Sequence, residues 1–108
     1  MENKGAVITL SALAQESRLT IFRTLVQAGP DGMAAGKISE TTGIPPSSLS
    51  FHLKEMSYAG IVTSRQESRY IYYSANFMVM NELLAFLTEN CCAGNPCGVE
   101  TPCCEEDA

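Results

Sequence analysis

The sequence predicts a mainly α domain of about five helices that carries a small β-hairpin, and three observations support this. Apolar residues recur at three- and four-residue spacing through most of the first ninety positions, the pattern of helices with one buried face. Gly29-Pro30-Asp31-Gly32 interrupts that pattern sharply, and Ile61 to Ser74, rich in β-branched and aromatic residues, replaces it with two strands. A chain of 108 residues has room for one small domain, with a modest core that a second copy can supplement.

The run Ile44 to Ala75, IPPSSLSFHLKEMSYAGIVTSRQESRYIYYSA, holds a helix and the hairpin. Pro45 and Pro46 fix φ at the helix entry, and Ser47 and Ser48 offer hydroxyls to the free amides of its first turn. Leu49, Leu53 and Met56 give it one buried face. The other face holds Ser47, Ser48, Ser50, Phe51, His52 and Lys54. Small side chains with one cation and one aromatic ring suit a helix laid in a groove better than one bathed in solvent. Gly60 ends the helix. Ile61 to Arg65 and Arg69 to Ser74 follow as strands, bent at Gln66, Glu67 and Ser68, with Ile71 and Tyr73 on a core-facing side.

Upstream, Met1 to Gly5 reads as a loose polar lead, and Val7, Leu10, Leu13 and Ala14 step through a first helix. Glu16 to Ala28 forms the second, with Leu19, Phe22, Leu25 and Val26 inward and Arg18 and Arg23 outward. Met33 to Thr42 forms the third, with Ala34, Ile38 and Thr41 toward the core and Gly43 closing it. This helix and the next, joined through Gly43, Ile44 and Pro45, make a helix-turn-helix pair. A hairpin edged by Arg65 and Arg69 makes it the winged form. In that form Lys37, Lys54, Arg65 and Arg69 make a local cationic face for DNA, Arg65 and Arg69 are candidates for phosphate or minor-groove contact, and Ser47, Ser48 and Ser50 for phosphate or base edges. His52 is a candidate for DNA or wing contact, and Phe51 either meets a thymine methyl or packs on the wing.

The last helix runs from Asn76, its cap, to Asn90. Nine of the eleven residues from Phe77 to Leu87 are apolar, with Met78 and Met80 read as core. A helix apolar nearly all round needs cover on more than one side. A homodimer supplies it, with Val7, Leu10, Phe77, Met80, Leu84 and Leu87 at the interface, and agrees with the twofold reading of DNA half-sites. The plainer alternative is a terminal helix wrapped over a monomeric core.

Three segments carry a family resemblance: ALAQESRLTIFRTL (Ala12 to Leu25), SSLSFHLKEMSYAGIV (Ser47 to Val62) and RYIYYS (Arg69 to Ser74). In order and spacing they resemble the ArsR/SmtB winged-helix repressors, bacterial metal- and metalloid-responsive transcription factors, over about residues 6 to 90. The resemblance implies a homodimer that holds double-stranded operator DNA until an ion binds.

The net charge of −5 is unevenly placed. Residues 1 to 88 hold seven acids and seven bases, and the excess lies in Glu89, Glu100, Glu105, Glu106 and Asp107. DNA binding needs a local cationic face rather than a basic chain, so this balance is compatible with it. The chain thus divides into a winged helix-turn-helix and dimerisation domain over residues 1 to 90 and a cysteine-rich acidic tail over 91 to 108. No apolar run approaches transmembrane length, and no charged leader precedes a hydrophobic region. A cytoplasmic protein without a membrane partner is expected.

All five cysteines, Cys91, Cys92, Cys97, Cys103 and Cys104, fall within fourteen positions. In a reducing cytosol such a cluster points to metal capture or redox chemistry rather than a disulfide framework. Thiolates are soft ligands that select soft acceptors. Trivalent arsenic takes three sulfurs on one side, its lone pair filling the other direction, and Gly94-Asn95-Pro96 offers a turn that returns Cys97 toward Cys91 and Cys92. Among the resembling sensors, one arsenic group places a Cys-x-Cys pair before the recognition helix, but Lys37 to Gly43 holds no cysteine. The zinc group uses histidine and acidic residues on the last helix, whereas the one histidine here is His52. Cys91, Cys92 and Cys97 match the arsenite repressors with a vicinal pair after the last helix and a third cysteine beyond; Cys103 and Cys104 exceed that pattern and either replace Cys97, form a second site or scavenge.

The expected function is an As(III)-released repressor, with Sb(III) as a second inducer of the same chemistry. Other soft metals, organoarsenicals or oxidants are alternatives on the same fold, and a metal carrier or thiol protein is the alternative from another class. An enzyme is disfavoured by the absence of C-x-x-C, a phosphate loop, a nucleophile elbow and a second histidine.

Overall fold

The computed structural model describes residues 1–90. Among them are five helices, α1 (Asn3–Leu13), α2 (Glu16–Ala28), α3 (Ala35–Thr42), α4 (Pro46–Tyr58) and α5 (Phe77–Leu87), and three strands, β1 (Met33–Ala34), β2 (Val62–Glu67) and β3 (Tyr70–Ala75). The strands form one antiparallel sheet in the order β1-β3-β2. This is a winged helix-turn-helix, as the sequence predicts.

The core lies where α2, α3 and α4 meet the base of the wing. Ile21, Phe22 and Leu25 enter it from α2, Ile38 from α3, and Leu49, Leu53 and Met56 from α4, with Ile61, Val62 and Ala75 closing it below. Each large side chain buried there is worth about 1.5–3 kcal/mol over an exposed one. The α2 face is turned from the one expected. Ile21 is fully buried, whereas Leu19 and Val26 are exposed. Helix α1 meets the domain through the small residues Ala6, Thr9 and Ala12, and its larger Val7, Ile8 and Leu10 are exposed.

Several boundaries differ from the sequence reading. The first helix begins at Asn3, inside the stretch expected to be loose. Met33 and Ala34 do not start α3 but pair with Tyr73 and Tyr72 as a short third strand, so the hairpin is the larger part of a three-stranded sheet. Thr41 is exposed and Ile38 alone of α3 is fully buried. Gln66 and Glu67 belong to β2, opposite Ile71 and Tyr70, which leaves Ser68 and Arg69 as the turn. Ser68 absorbs the reversal with φ 59°. Ile71 and Met78 are exposed rather than core. Ser47 and Ser48 do not cap α4; Pro45 is its N-cap, with Pro46 supplying the preset φ of the first turn.

Gly32 explains how β1 reaches the sheet. Its φ is +77°, and a Cβ there would meet the backbone carbonyl of Tyr73. Gly43 has a similar φ of +78° but open space around it. Gly43→Ala should therefore cost roughly 1–2 kcal/mol of left-handed strain, and Gly32→Ala that strain plus displacement of β3. Urea unfolding of the two variants checks this, and equal losses would show that the approach to Tyr73 is unimportant.

Candidate nucleic-acid interface

The turn between α3 and α4 is held by side chains of α3. Gly43 adopts the left-handed conformation and donates its N–H to the Ser39 carbonyl at 2.8 Å. The Ser39 hydroxyl donates to the Ile44 carbonyl at 2.6 Å, and the Thr42 hydroxyl accepts from the Ile44 N–H at 3.3 Å. Both polar groups of Ile44 are therefore engaged within four residues of the end of α3, which fixes the direction in which α4 leaves.

Burial of Leu49, Leu53 and Met56 turns the opposite side of α4 outward. Ser47, Ser48, Ser50 and Lys54 are exposed, and Phe51 is 56% exposed. His52 differs from them. It is half-buried, its Nδ1 accepts from Arg18 Nε at 3.2 Å, and its ring meets Phe51 edge-on with centroids 5.8 Å apart. Arg18, expected on the outward side of α2, is half-buried and lies 5.9 Å from the Phe51 ring centroid. Phe51 thus packs toward α2 through Arg18.

The four expected cations lie on three elements. Lys37 on α3 stands 3.9 Å from Glu40 with both side chains exposed. Lys54 is on α4, and Arg69 sits exposed in the wing turn. Arg65 on β2 pairs with Glu67 at 3.2 Å and lies over the Tyr72 ring at 5.2 Å. Exposed pairs of this kind contribute about 0–1 kcal/mol, so neither carboxylate holds its cation firmly.

The expected dimer residues divide into two groups. Val7 and Leu10 on α1 and Leu84 and Leu87 on α5 are exposed, Val7 by 60% and each of the two α5 leucines by 54%. Phe77 and Met80 are half-buried against the chain's own core. Helix α5 is joined to the foot of α4 through Asn76. Its Oδ1 accepts from Val79 N–H at 3.2 Å as the expected cap, its Nδ2 donates to the Gly60 carbonyl at 2.9 Å, and its own N–H donates to the Ile61 carbonyl at 2.9 Å. Cys91, Cys92, Cys97, Cys103 and Cys104, the expected As(III) ligands, lie outside the described residues. Among the described residues no helix is long and apolar enough to cross a membrane, and no group of three metal-ligating side chains converges.

Comparison with known proteins places this geometry. A family model described as a helix-turn-helix domain matches residues 13–65. The arsenical resistance operon repressor of Bacillus subtilis is 33% identical over 93 residues, which cover 86% of this chain and 84% of that protein. Nodulation protein NolR of Rhizobium meliloti is 32% identical over 80 residues, 74% of this chain; the match spans 63% of NolR's length. The structure of HlyU from Vibrio cholerae superposes with a TM-score of 0.63 at 33% identity, covering 81% of this chain and 97% of that one.

Proposed function

The chain belongs to the ArsR/SmtB family of winged-helix transcriptional regulators, and on that footing we propose that it is an arsenite-responsive repressor, binding operator DNA as a homodimer until As(III) is taken by three cysteine thiolates. The observation that carries this reading is five cysteines in fourteen positions directly after a helix-turn-helix domain similar to an arsenical repressor. Arsenous acid exchanges its three hydroxyls for three thiols, releasing three waters, and needs no other ligand. Cys91, Cys92 and Cys97 are the assigned donors, and Sb(III), with the same lone pair, is the second inducer. The donor set is all sulfur, which suits these ions and not a hard one.

The DNA-facing surface is the outer side of α4 with the wing beside it. Ser47, Ser48, Ser50 and His52 lie toward bases and nearby phosphates, and Lys37, Lys54, Arg65 and Arg69 toward the backbone. Exposed Val7, Leu10, Leu84 and Leu87 supply the surface that a second copy covers, and two copies present two reading helices about a twofold axis. The cysteine segment follows α5 in the sequence, and α5 is capped by Asn76, which also bonds Gly60 and Ile61 at the foot of α4. Binding that re-seats α5 therefore acts on the recognition helix through Asn76.

Two expected outcomes test this reading. In gel-shift titrations arsenite should release the wild-type protein from its operator by roughly 5- to 150-fold in affinity and leave Cys97→Ser bound. Release of Cys97→Ser at the wild-type concentration removes that thiol from the site, and a wild-type protein that stays bound ends the arsenite reading. Reversible release by peroxide alone would favour a thiol-oxidation switch. Separately, Asn76→Asp keeps the acceptor for Val79 N–H and loses the donor to Gly60. It should bind the operator and As(III) but show a smaller ratio between its DNA affinities with and without arsenite. An unchanged ratio would place the coupling elsewhere.

A further inference from the structure

Arg18 and His52 are 34 residues apart, yet Arg18 spends its Nε–H on His52 Nδ1 at 3.2 Å. It does so although Glu55, one turn along α4 from His52, lines the same concavity as Arg18. Among the described residues the ion pairs are Lys37 with Glu40 and Arg65 with Glu67, so Arg18 is committed to the imidazole rather than to a carboxylate. The guanidinium also lies 5.9 Å from the Phe51 ring, and Phe51 stands edge-on to His52 with an interplanar angle of 62°. Three side chains from two helices thereby hold one another midway along α4.

A guanidinium keeps its protons, so its Nε is always a donor and the nitrogen it meets must carry a lone pair. A neutral imidazole with a bare Nδ1 has its single proton on Nε2. Among the described residues nothing accepts from that Nε2–H. We propose that Arg18 is a positioning residue for DNA recognition: it fixes the orientation and tautomer of His52 so that the recognition helix presents Nε2–H as a donor. This rests on the reading of α4 as the helix that enters the major groove. The matching partner is a hydrogen-bond acceptor on DNA, either purine N7 or guanine O6 at a base edge or a phosphate oxygen. An exocyclic amino group does not fit. The reader is thus built from two elements, with the selecting atom on α4 and the group that sets its hydrogen on α2.

His52 is the only histidine of the chain, so its two ring nitrogens can be observed in the full-length protein without assignment ambiguity. Long-range ¹H–¹⁵N spectra of the neutral ring should show Nδ1 as an unprotonated acceptor and Nε2 as protonated. In Arg18→Gln the Nδ1 signal should move toward that of a free ring. Arg18→Lys keeps the charge and loses the Nε–H, so it should resemble Arg18→Gln; restoration of the wild-type signal by lysine would mean that only charge matters. Operator affinity should fall roughly tenfold in Arg18→Gln, and by no more when Arg18→Gln is added to His52→Ala. A fall confined to the operator assigns the acceptor to a base edge, and an equal fall on unrelated DNA assigns it to a phosphate. A proton on Nδ1 in the wild type, an unchanged spectrum in Arg18→Gln, or additive losses in the double variant would overturn the inference. Absence of any sequence-preferring DNA binding by the wild type would instead remove the proposed function and leave the spectroscopic result standing.

Discussion

Leu49, Leu53 and Met56 are each no more than 2% exposed, and their burial against α2, α3 and the base of the wing is the constraint from which the outward chemistry of α4 follows. A helix has one rotation about its axis. Once three apolar side chains at i, i+4 and i+7 are fixed inward, Ser47, Ser50, Phe51 and Lys54 have nowhere to go but outward. The direction of the axis needs a separate device, and the Ser39, Thr42 and Gly43 bonds around Ile44 provide it. Core packing thus sets which face is offered, and the turn sets where it is aimed. Removing a buried leucine would cost about 2–5 kcal/mol and would also release the orientation of every polar residue on the far side.

The same economy appears at the other end of α4. Asn76 uses its backbone N–H, its side-chain amide and its side-chain carbonyl in three bonds to two segments, the Gly60–Ile61 link and the first turn of α5. A residue that only capped α5 would engage one of these. Because all three are made, α5 cannot shift along its axis without disturbing the chain that links the recognition helix to the wing. This ties the start of α5 to the Gly60–Ile61 link at the foot of α4 through two hydrogen bonds of 2.9 Å.

The sequence was most legible where one periodic signal stood alone. The limits of α2, the α4 stripe and the Asn76 cap are where the residues place them, because each rests on local chemistry. It was less legible where several rotations fit equally well. Leu19, Ile21, Phe22, Leu25 and Val26 make α2 apolar over most of its girth, so spacing could not say that Ile21 is inside and Leu19 outside. Strand β1 was missed because two residues have no period, and its partners Tyr72 and Tyr73 lie far along the chain. Arg18 was read only as an outward residue of α2 for a related reason: the folded chain alone brings it to His52.

A domain whose acids and bases cancel over residues 1 to 88 poses a question for DNA binding that the ion pairs help to answer. Lys37 and Arg65, two of the four cations proposed to contact the DNA backbone, already face carboxylates, Glu40 and Glu67, at 3.9 and 3.2 Å. Both pairs are exposed, so each carboxylate is a weak, solvated partner that a phosphate oxygen can replace in the same hydrogen-bonding direction. Such pairing restrains neither side chain firmly, but it lowers the positive field that an unrelated polyanion would meet. On the proposed function, affinity then depends on how well the buried stripe and the α3–α4 turn place the helix, since the net field of the domain contributes little pull of its own.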